Sequence, residues 1–243
     1  MRASARAAMK KSIRILALGG WDATGRAGLL ADAWAAHQLG AQLAGIATCL
    51  TVQGGKKFEV SAVKSTQCEA QLRAVLSVGP VDAIKIGAVP NRTLARWVLR
   101  VAKESQVPLV IDPVIYTSRG ERLSTLNATD VLRFAASHCV LTPNHDELAW
   151  LGEGGSELVS RGFGAVVVKG GASAIDDIFT ARGAERLQGT RVHGRTAAHR
   201  GTGCRFATAL AVHLARGEPL RGAAWKAASL VRNYLQRPII SPR

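Results

Sequence analysis

The chain has few aromatic residues, few acidic ones, no closely spaced cysteines and no long apolar run. No apolar stretch reaches the roughly 18 residues that a transmembrane helix needs, which excludes a helical membrane span. Aromatic residues make up only 5% of the 243 positions, and no segment interleaves them with basic residues. Single-stranded nucleic-acid binding by base stacking is therefore not expected, and no recognised nucleic-acid motif is present. The four cysteines, Cys49, Cys68, Cys139 and Cys204, include no pair spaced like a metal knuckle or a redox motif. A chain of this length does not need disulfide staples, so a reducing, cytoplasmic setting is expected.

Negative charge is the scarcest property. Asp and Glu total 17 against 32 Lys and Arg, a formal net charge of +15. Such an excess points to anionic partners: nucleic acid, an acidic membrane surface or a phosphorylated small molecule. Its distribution narrows the choice. One block is acid-free and N-terminal (Arg2, Arg6, Lys10, Lys11, Arg14), and a second runs through Arg191, Arg195, Arg200 and Arg205. A third lies at the C-terminal end, with Arg216, Arg221, Lys226, Arg232, Arg237 and Arg243 against Glu218 alone. The first block, Arg-rich, Ser-containing and acid-free, has the composition of an organelle transit peptide, but it is short and Met9 sits just before the first strand, so residues 1–12 read rather as an upstream start or a disordered basic tail ahead of one domain over 13–243. No apolar stretch follows it, which disfavours a secretory signal.

Hydrophobic residues, at 47%, suffice for a sizeable core. Apolar runs predict buried strands over 13–20, 43–50, 83–86, 109–114, 139–142 and 165–169. Amphipathic stretches predict helices over 28–39, 67–78, 91–105, 126–137, 145–152, 202–216 and 219–236. Strands alternating with helices imply a mostly parallel sheet covered on both faces. Ligands in such sheets bind outside the carboxyl ends of the strands, and those loops hold the polar residues of interest.

The segment Arg200-Gly201-Thr202-Gly203-Cys204-Arg205 precedes a helical run. Its glycines permit a tight turn, and the free N–H groups and positive dipole end of the helix make an anion cradle. A cysteine in that first turn is expected to have its thiolate favoured, which suits a base or nucleophile. The first strand runs into Gly19-Gly20-Trp21-Asp22-Ala23-Thr24-Gly25-Arg26-Ala27-Gly28. This is neither the dinucleotide fingerprint nor a Walker A loop. Asp112, Asn144 and Glu147, also at strand ends, have the oxygen ligands that Mg²⁺ prefers, and Lys169 can reach a phosphate as a point charge. Each of these is common turn or cap chemistry when taken alone, and their convergence on one sheet edge gives them meaning.

GGWDATGRAGLLAD, ATCLTVQ, DAIKIGA, IDPVIYTSRGERL, LTPNHDEL, VVVKGG and RGTGC, in this order over about residues 13–236, resemble the hydroxymethylpyrimidine/phosphomethylpyrimidine kinases of thiamine biosynthesis. The resemblance implies a ribokinase-like three-layer α/β/α sandwich with a mostly parallel central sheet. It also implies ATP- and Mg²⁺-dependent phosphorylation of 4-amino-5-hydroxymethyl-2-methylpyrimidine or its monophosphate, by a homodimer. Gly201, Thr202 and Gly203 would form the anion hole, and Cys204 would be the catalytic base. Lys169, Asn144, Glu147 and Asp112 would serve ATP and the metal, with Glu147 and Asn144 as metal ligands. Gln53 would hydrogen-bond the aminopyrimidine edge, with Asp32, Gly20, Ala27, Arg26 and Val114 lining the same pocket.

The departures from that family lie in the loops. Asp-Pro-Ser-Gly-Gly-Ala-Gly becomes Asp22-Ala23-Thr24-Gly25-Arg26-Ala27-Gly28, Asn-Thr after Gln53 becomes Gly54-Gly55, and Thr-His becomes His199-Arg200. One reading is that Arg26 and Arg200 add positive charge for a substrate phosphate. Another is that they occlude the pocket and leave a binding scaffold without turnover. Pyridoxal, a similar hydroxymethyl heterocycle, is an alternative substrate. Residues 116–122 are a candidate lid.

Overall fold

The computed structural model describes residues 12–54, 57–192 and 199–237. Apart from Ser12, the basic tail assigned to residues 1–12 lies outside these, as do Gly55, Arg195 and Arg243.

The apolar runs form six parallel strands: β1 (Arg14–Asp22), β2 (Gln42–Gly54), β4 (Ala83–Ile86), β5 (Leu109–Ile111), β6 (Cys139–Leu141) and β7 (Ala165–Val168). Three further strands pair antiparallel at the edges: β3 (Lys57–Ala62) on β2, and the β8–β9 hairpin (Ile175–Thr180, Gly183–Gln188) beyond β7. Among the described residues the order across the sheet is β3-β2-β1-β4-β5-β6-β7-β8-β9. The edge strands escape the hydrophobic pattern because they are polar. In GAERLQ of β9 only Leu187 is buried, and an edge rich in charge resists pairing with another chain. β5 stops at Ile111 rather than the expected Val114, since Pro113 has no N–H to donate to the ladder.

The helices are α1 (Gly28–Gln38), α2 (Ser65–Val78), α3 (Arg92–Glu104), α4 (Ala128–Leu132), α5 (His145–Leu151), α6 (Gly155–Ser160), α7 (Thr202–Ala215) and α8 (Leu220–Leu235). α4 is shorter than the stretch 126–137 anticipated for it, and α6 was not anticipated.

Alternation along each strand sorts its side chains between two cores. Leu16, Leu18, Ile84, Ile86 and Leu109 meet Leu72, Leu94, Val131, Leu151 and Leu158 from α2 to α6. Ile15, Ala83, Val110 and Val167 meet α1, α7 and α8 on the opposite face. The result is the three-layer α/β/α sandwich with a mostly parallel sheet. Arg205 through His213 of α7 are all buried, as befits a helix enclosed between the sheet and another helix. Ala223, Ala224 and Ala227 of α8 cover its outer side.

The same parity directs the polar groups. Lys85 shares the face of Ala83, Asp112 that of Val110, and Lys169 that of Val167. All three therefore point toward α1 and the start of α7.

Candidate active site

The carboxyl ends of the parallel strands open into a cavity of about 530 Å³. One wall carries Asn144, Glu147 and Lys169, the floor carries Gly201 to Cys204, and the opposite wall carries Gly20, Ala27, Gln53, Val114 and Arg200. Of the expected site residues, Asp32 and Arg26 do not line it.

Gly201, the N-cap of α7, has φ +69°, in the left-handed region that favours glycine. A Cβ there would lie 2.4 Å from the Arg26 carbonyl oxygen and 2.9 Å from Ala27 Cα. The phosphoryl-binding turn thus rests directly on the loop between β1 and α1. Gly201→Ala is expected to push these two loops apart and to cost activity about 100-fold or more, measurable as kcat/KM. A Gly201→Ala enzyme with wild-type kinetics would contradict this account of the turn.

The first turn of α7 presents unpaired N–H groups toward the cavity. A Cβ on Gly203 would come within 3.2 Å of Lys169 Nζ and 3.3 Å of Asp112 Oδ2, so glycine lets these side chains approach the turn. Lys169 Nζ lies 2.5 Å from Asp112 Oδ1 and 3.8 Å from Glu147 Oε2. Burial works to lower the pKa of Lys169, but Asp112 and Glu147 more than offset it and hold it above the ordinary lysine value. Burial, against the pull of Lys169, pushes the Glu147 carboxyl up to about 7, with Asp112 adding to the rise.

Asn144 and Glu147 form a reciprocal capping box at α5. Asn144 Oδ1 accepts from the Glu147 N–H at 2.8 Å, and Glu147 Oε2 accepts from the Asn144 N–H at 2.8 Å. Asn144 is thereby engaged as a helix cap. Among the described residues no group of three or more His, Cys, Asp or Glu side chains could hold a metal ion. Asp112 and Glu147, both beside Lys169, nevertheless suit a hard cation that takes one or two carboxylates and completes its shell with phosphate oxygens.

Cys204 corrects one expectation from the sequence. Its position in the first turn was expected to favour the thiolate, yet burial pushes the thiol up to about 11. Lys85 and the Gly28 N–H pull it down, while Asp32 and Asp112 push it further up. Desolvation is the largest of these effects, and the resting residue is a thiol.

Lys85 lines the cavity beside Cys204, and Asp32 stands behind it at 3.0 Å, both side chains fully buried. Thr208 Oγ1 donates to Asp32 Oδ1 at 2.8 Å. Burial opposes the Lys85 charge, but Asp32, Cys204 and Asp112 hold its pKa above the ordinary value. Asp32 therefore reaches the pocket through Lys85 rather than by contact with the cavity.

On the acceptor wall, Gln53 Nε2 donates to Thr51 Oγ1 at 2.8 Å, and Gln53 Oε1 accepts from Arg200 Nη2. Arg200 is only 7% exposed. The loop between β1 and α1 is organised by the buried Asp22, whose carboxylate accepts from Thr24 Oγ1 at 2.8 Å and from the Ala27 N–H at 3.2 Å. The Arg26 carbonyl meets the neighbouring loop, where it accepts from Arg205 Nη1 at 3.1 Å. Burial lowers the Arg200 pKa, and the Arg26 charge is close enough to help lower it further. Tyr116, Thr117 and Gly120 of the candidate lid line the cavity, and the segment is closed by a Tyr116–Arg122 bridge.

Sequence reasoning assigned no role to Lys85, Asp22 or Arg205. A lone lysine inside the apolar strand AIKI was the available sign for Lys85.

The model of the phosphomethylpyrimidine kinase family matches residues 22–240. The chain belongs to that family. It is 31% identical over 245 residues to a hydroxymethylpyrimidine/phosphomethylpyrimidine kinase of Rhizobium meliloti, across 92% of this chain and 89% of the relative. It is 30% identical over 231 residues to a thiamine biosynthesis multifunctional protein of Corynebacterium glutamicum, across 86% of this chain and 30% of that protein. The chain thus spans less than half the length of such multifunctional relatives, with 46% for one of Geobacter sulfurreducens. Among solved structures, pyridoxal kinase of Staphylococcus aureus in complex with pyridoxal superposes with a TM-score of 0.81 at 25% identity, covering 91% of this chain and 87% of that one. The ribokinase-like sandwich expected for this family is therefore the fold observed.

Proposed function

We propose that this phosphomethylpyrimidine kinase family member transfers the γ-phosphoryl group of ATP to 4-amino-5-hydroxymethyl-2-methylpyrimidine, to its monophosphate, or to each in turn. The observation that carries the reading is that the free N–H groups of α7, Lys169 and Cys204 meet in one cavity. Phosphoryl transfer asks mainly for positioning and neutralisation of charge, and these groups supply both.

The N–H groups of Thr202 to Cys204 face the transferring phosphoryl oxygens, and Lys169 adds a point charge at the same place. Asp112 holds Lys169 in position and, with Glu147, is placed to hold Mg²⁺. The metal, when bound with the nucleotide, neutralises phosphate charge. On the acceptor side, Gln53 reads the ring edge and Arg200 holds the Gln53 amide in place. The Cys204 thiol first releases its own proton to solvent, an ionisation that Lys85 and the Gly28 N–H favour, and the thiolate then receives the proton of the acceptor hydroxyl. Its raised pKa makes that thiolate a strong base, and a loose transition state asks little of it. The intact catalytic constellation speaks against a scaffold without turnover. Exposed Trp21, Leu50 and Val52 near the acceptor side support a homodimer, and residues 13–243 act as one cytoplasmic kinase domain.

Glu147 gives the reaction a pH dependence. With a carboxyl near pH 7, it is largely neutral at pH 6 and largely ionised at pH 8. Only the ionised form assists a cation, so kcat/KM for the nucleotide is expected to rise through about pH 7. Glu147→Gln should flatten that rise, measured as the pH profile of kcat/KM. An unchanged profile would remove Glu147 from the metal site.

The function is tested by offering the hydroxymethyl aminopyrimidine, its monophosphate and pyridoxal in parallel with ATP and Mg²⁺, and resolving the products by chromatography. Turnover of either pyrimidine ahead of pyridoxal supports the reading. Turnover of pyridoxal alone would replace it.

A further inference from the structure

Arg205 is 4% exposed, and among the described basic residues such burial is matched by few. Its Nη1 donates to three carbonyl oxygens: Arg26 at 3.1 Å, Arg200 at 2.9 Å and Gly201 at 3.1 Å. The first belongs to the acceptor-side loop between β1 and α1, and the other two to the phosphoryl-binding turn. The guanidinium carbon lies 3.8 Å from the ring centroid of Tyr234 on α8 and 5.0 Å from that of Trp34 on α1. Tyr234 Oη donates to the same Arg200 carbonyl at 3.1 Å.

These contacts have a shared geometric sense. The two aromatic rings fix the guanidinium plane, and that plane aims one nitrogen, Nη1, at all three carbonyls. Cys204 is the preceding residue, and the Gly28 N–H that lowers its thiol pKa sits at the end of the loop that Arg205 holds. A lysine carries the same charge and three donors, but it has no plane for the Tyr234 and Trp34 rings to hold in that direction.

We propose that Arg205 is a positioning residue that clamps the acceptor loop (residues 23–27) to the phosphoryl-binding turn (residues 199–201), keeping acceptor and phosphoryl group in register. Its kinetic consequence rests on the kinase reading above, whereas its structural consequence does not. Displacement of one loop by about 1 Å is enough to cost roughly 100-fold in rate.

The test compares wild type with Arg205→Met, which preserves bulk against the rings, and Arg205→Lys, which preserves charge. For both variants kcat/KM for the acceptor should fall, by about 100-fold for Arg205→Met, while KM for ATP stays within about threefold. Hydrogen exchange should accelerate at residues 23–27 and 199–201 by about tenfold or more, with β4, β5 and β6 unchanged. Equal losses toward ATP and acceptor, uniform acceleration across the sheet, or wild-type behaviour would overturn the clamp. If Arg205→Met does not fold, Arg205→Lys carries both readouts. If the wild type phosphorylates no acceptor, the proposed function fails, and the exchange pattern alone still decides the clamp.

Discussion

Cys204→Ala is expected to lower kcat for the hydroxymethyl alcohol by about 10³-fold and to spare the monophosphate comparatively, within about tenfold, because general-base catalysis contributes on the order of 10²–10⁴. The difference follows from the acceptors. An alcohol oxygen must lose a proton as it attacks, whereas a phosphate oxygen is already ionised at neutral pH. The Cys204 thiol, raised to about 11 by burial with Lys85 and the Gly28 N–H opposing, holds its proton in the resting state. Its contribution to alcohol attack should therefore grow with pH over the accessible alkaline range. Equal losses on both acceptors would mean that Cys204 shapes the turn and does not take the proton. The alcohol and monophosphate rates of one variant, measured side by side, decide this.

The second large effect is on stability. Lys85→Met removes one member of a fully buried pair and leaves Asp32 facing only Thr208. Breaking such a pair costs about 3–5 kcal/mol, since the remaining charge is stranded in a dry core. For a chain of this size that corresponds to a Tm lowered by roughly 10 °C, read by thermal unfolding. The double variant Lys85→Met/Asp32→Leu should recover most of the loss, because replacing both partners by apolar groups leaves no stranded charge. A double variant no more stable than the single one would show that the cost lies in packing. Lys85→Met should also raise the Cys204 thiol further, since Lys85 is the main group pulling it down after burial has pushed it up.

Much of this architecture is legible in the sequence because the parallel strands contain continuous, largely apolar runs. Runs such as IRILALGG and AVVV announce buried strands, and the helices between them dictate a three-layer sandwich. The antiparallel strands β3, β8 and β9 are short and carry charged residues, so none contains the continuous apolar run that marks the parallel strands. The site was legible where glycines and chemistry coincide, at Gly201 to Cys204 and at Lys169.

What periodicity does not encode is side-chain partnership across the sheet. Nothing local shows that Arg200 reaches Gln53, that Arg205 reaches the Arg26 carbonyl, or that Lys85 lies between Asp32 and the cavity. The Cys204 thiol illustrates the same limit. Its helix-terminal position was visible in the chain, but the desolvation that dominates its pKa belongs to the fold. The +15 net charge likewise resolves only in three dimensions. Arg205 and Arg200 are structural parts of the site, Arg26 contributes a carbonyl, and exposed arginines such as Arg186 and Arg221 pair with acids at the surface.

The most direct test of the central claim is mass-spectrometric detection of product after the folded protein is incubated with ATP, Mg²⁺ and the hydroxymethyl aminopyrimidine. A phosphorylated pyrimidine formed by wild type, and formed far more slowly by Cys204→Ala, is the predicted result. Folded protein that forms no phosphorylated pyrimidine from the alcohol or the monophosphate would contradict the account.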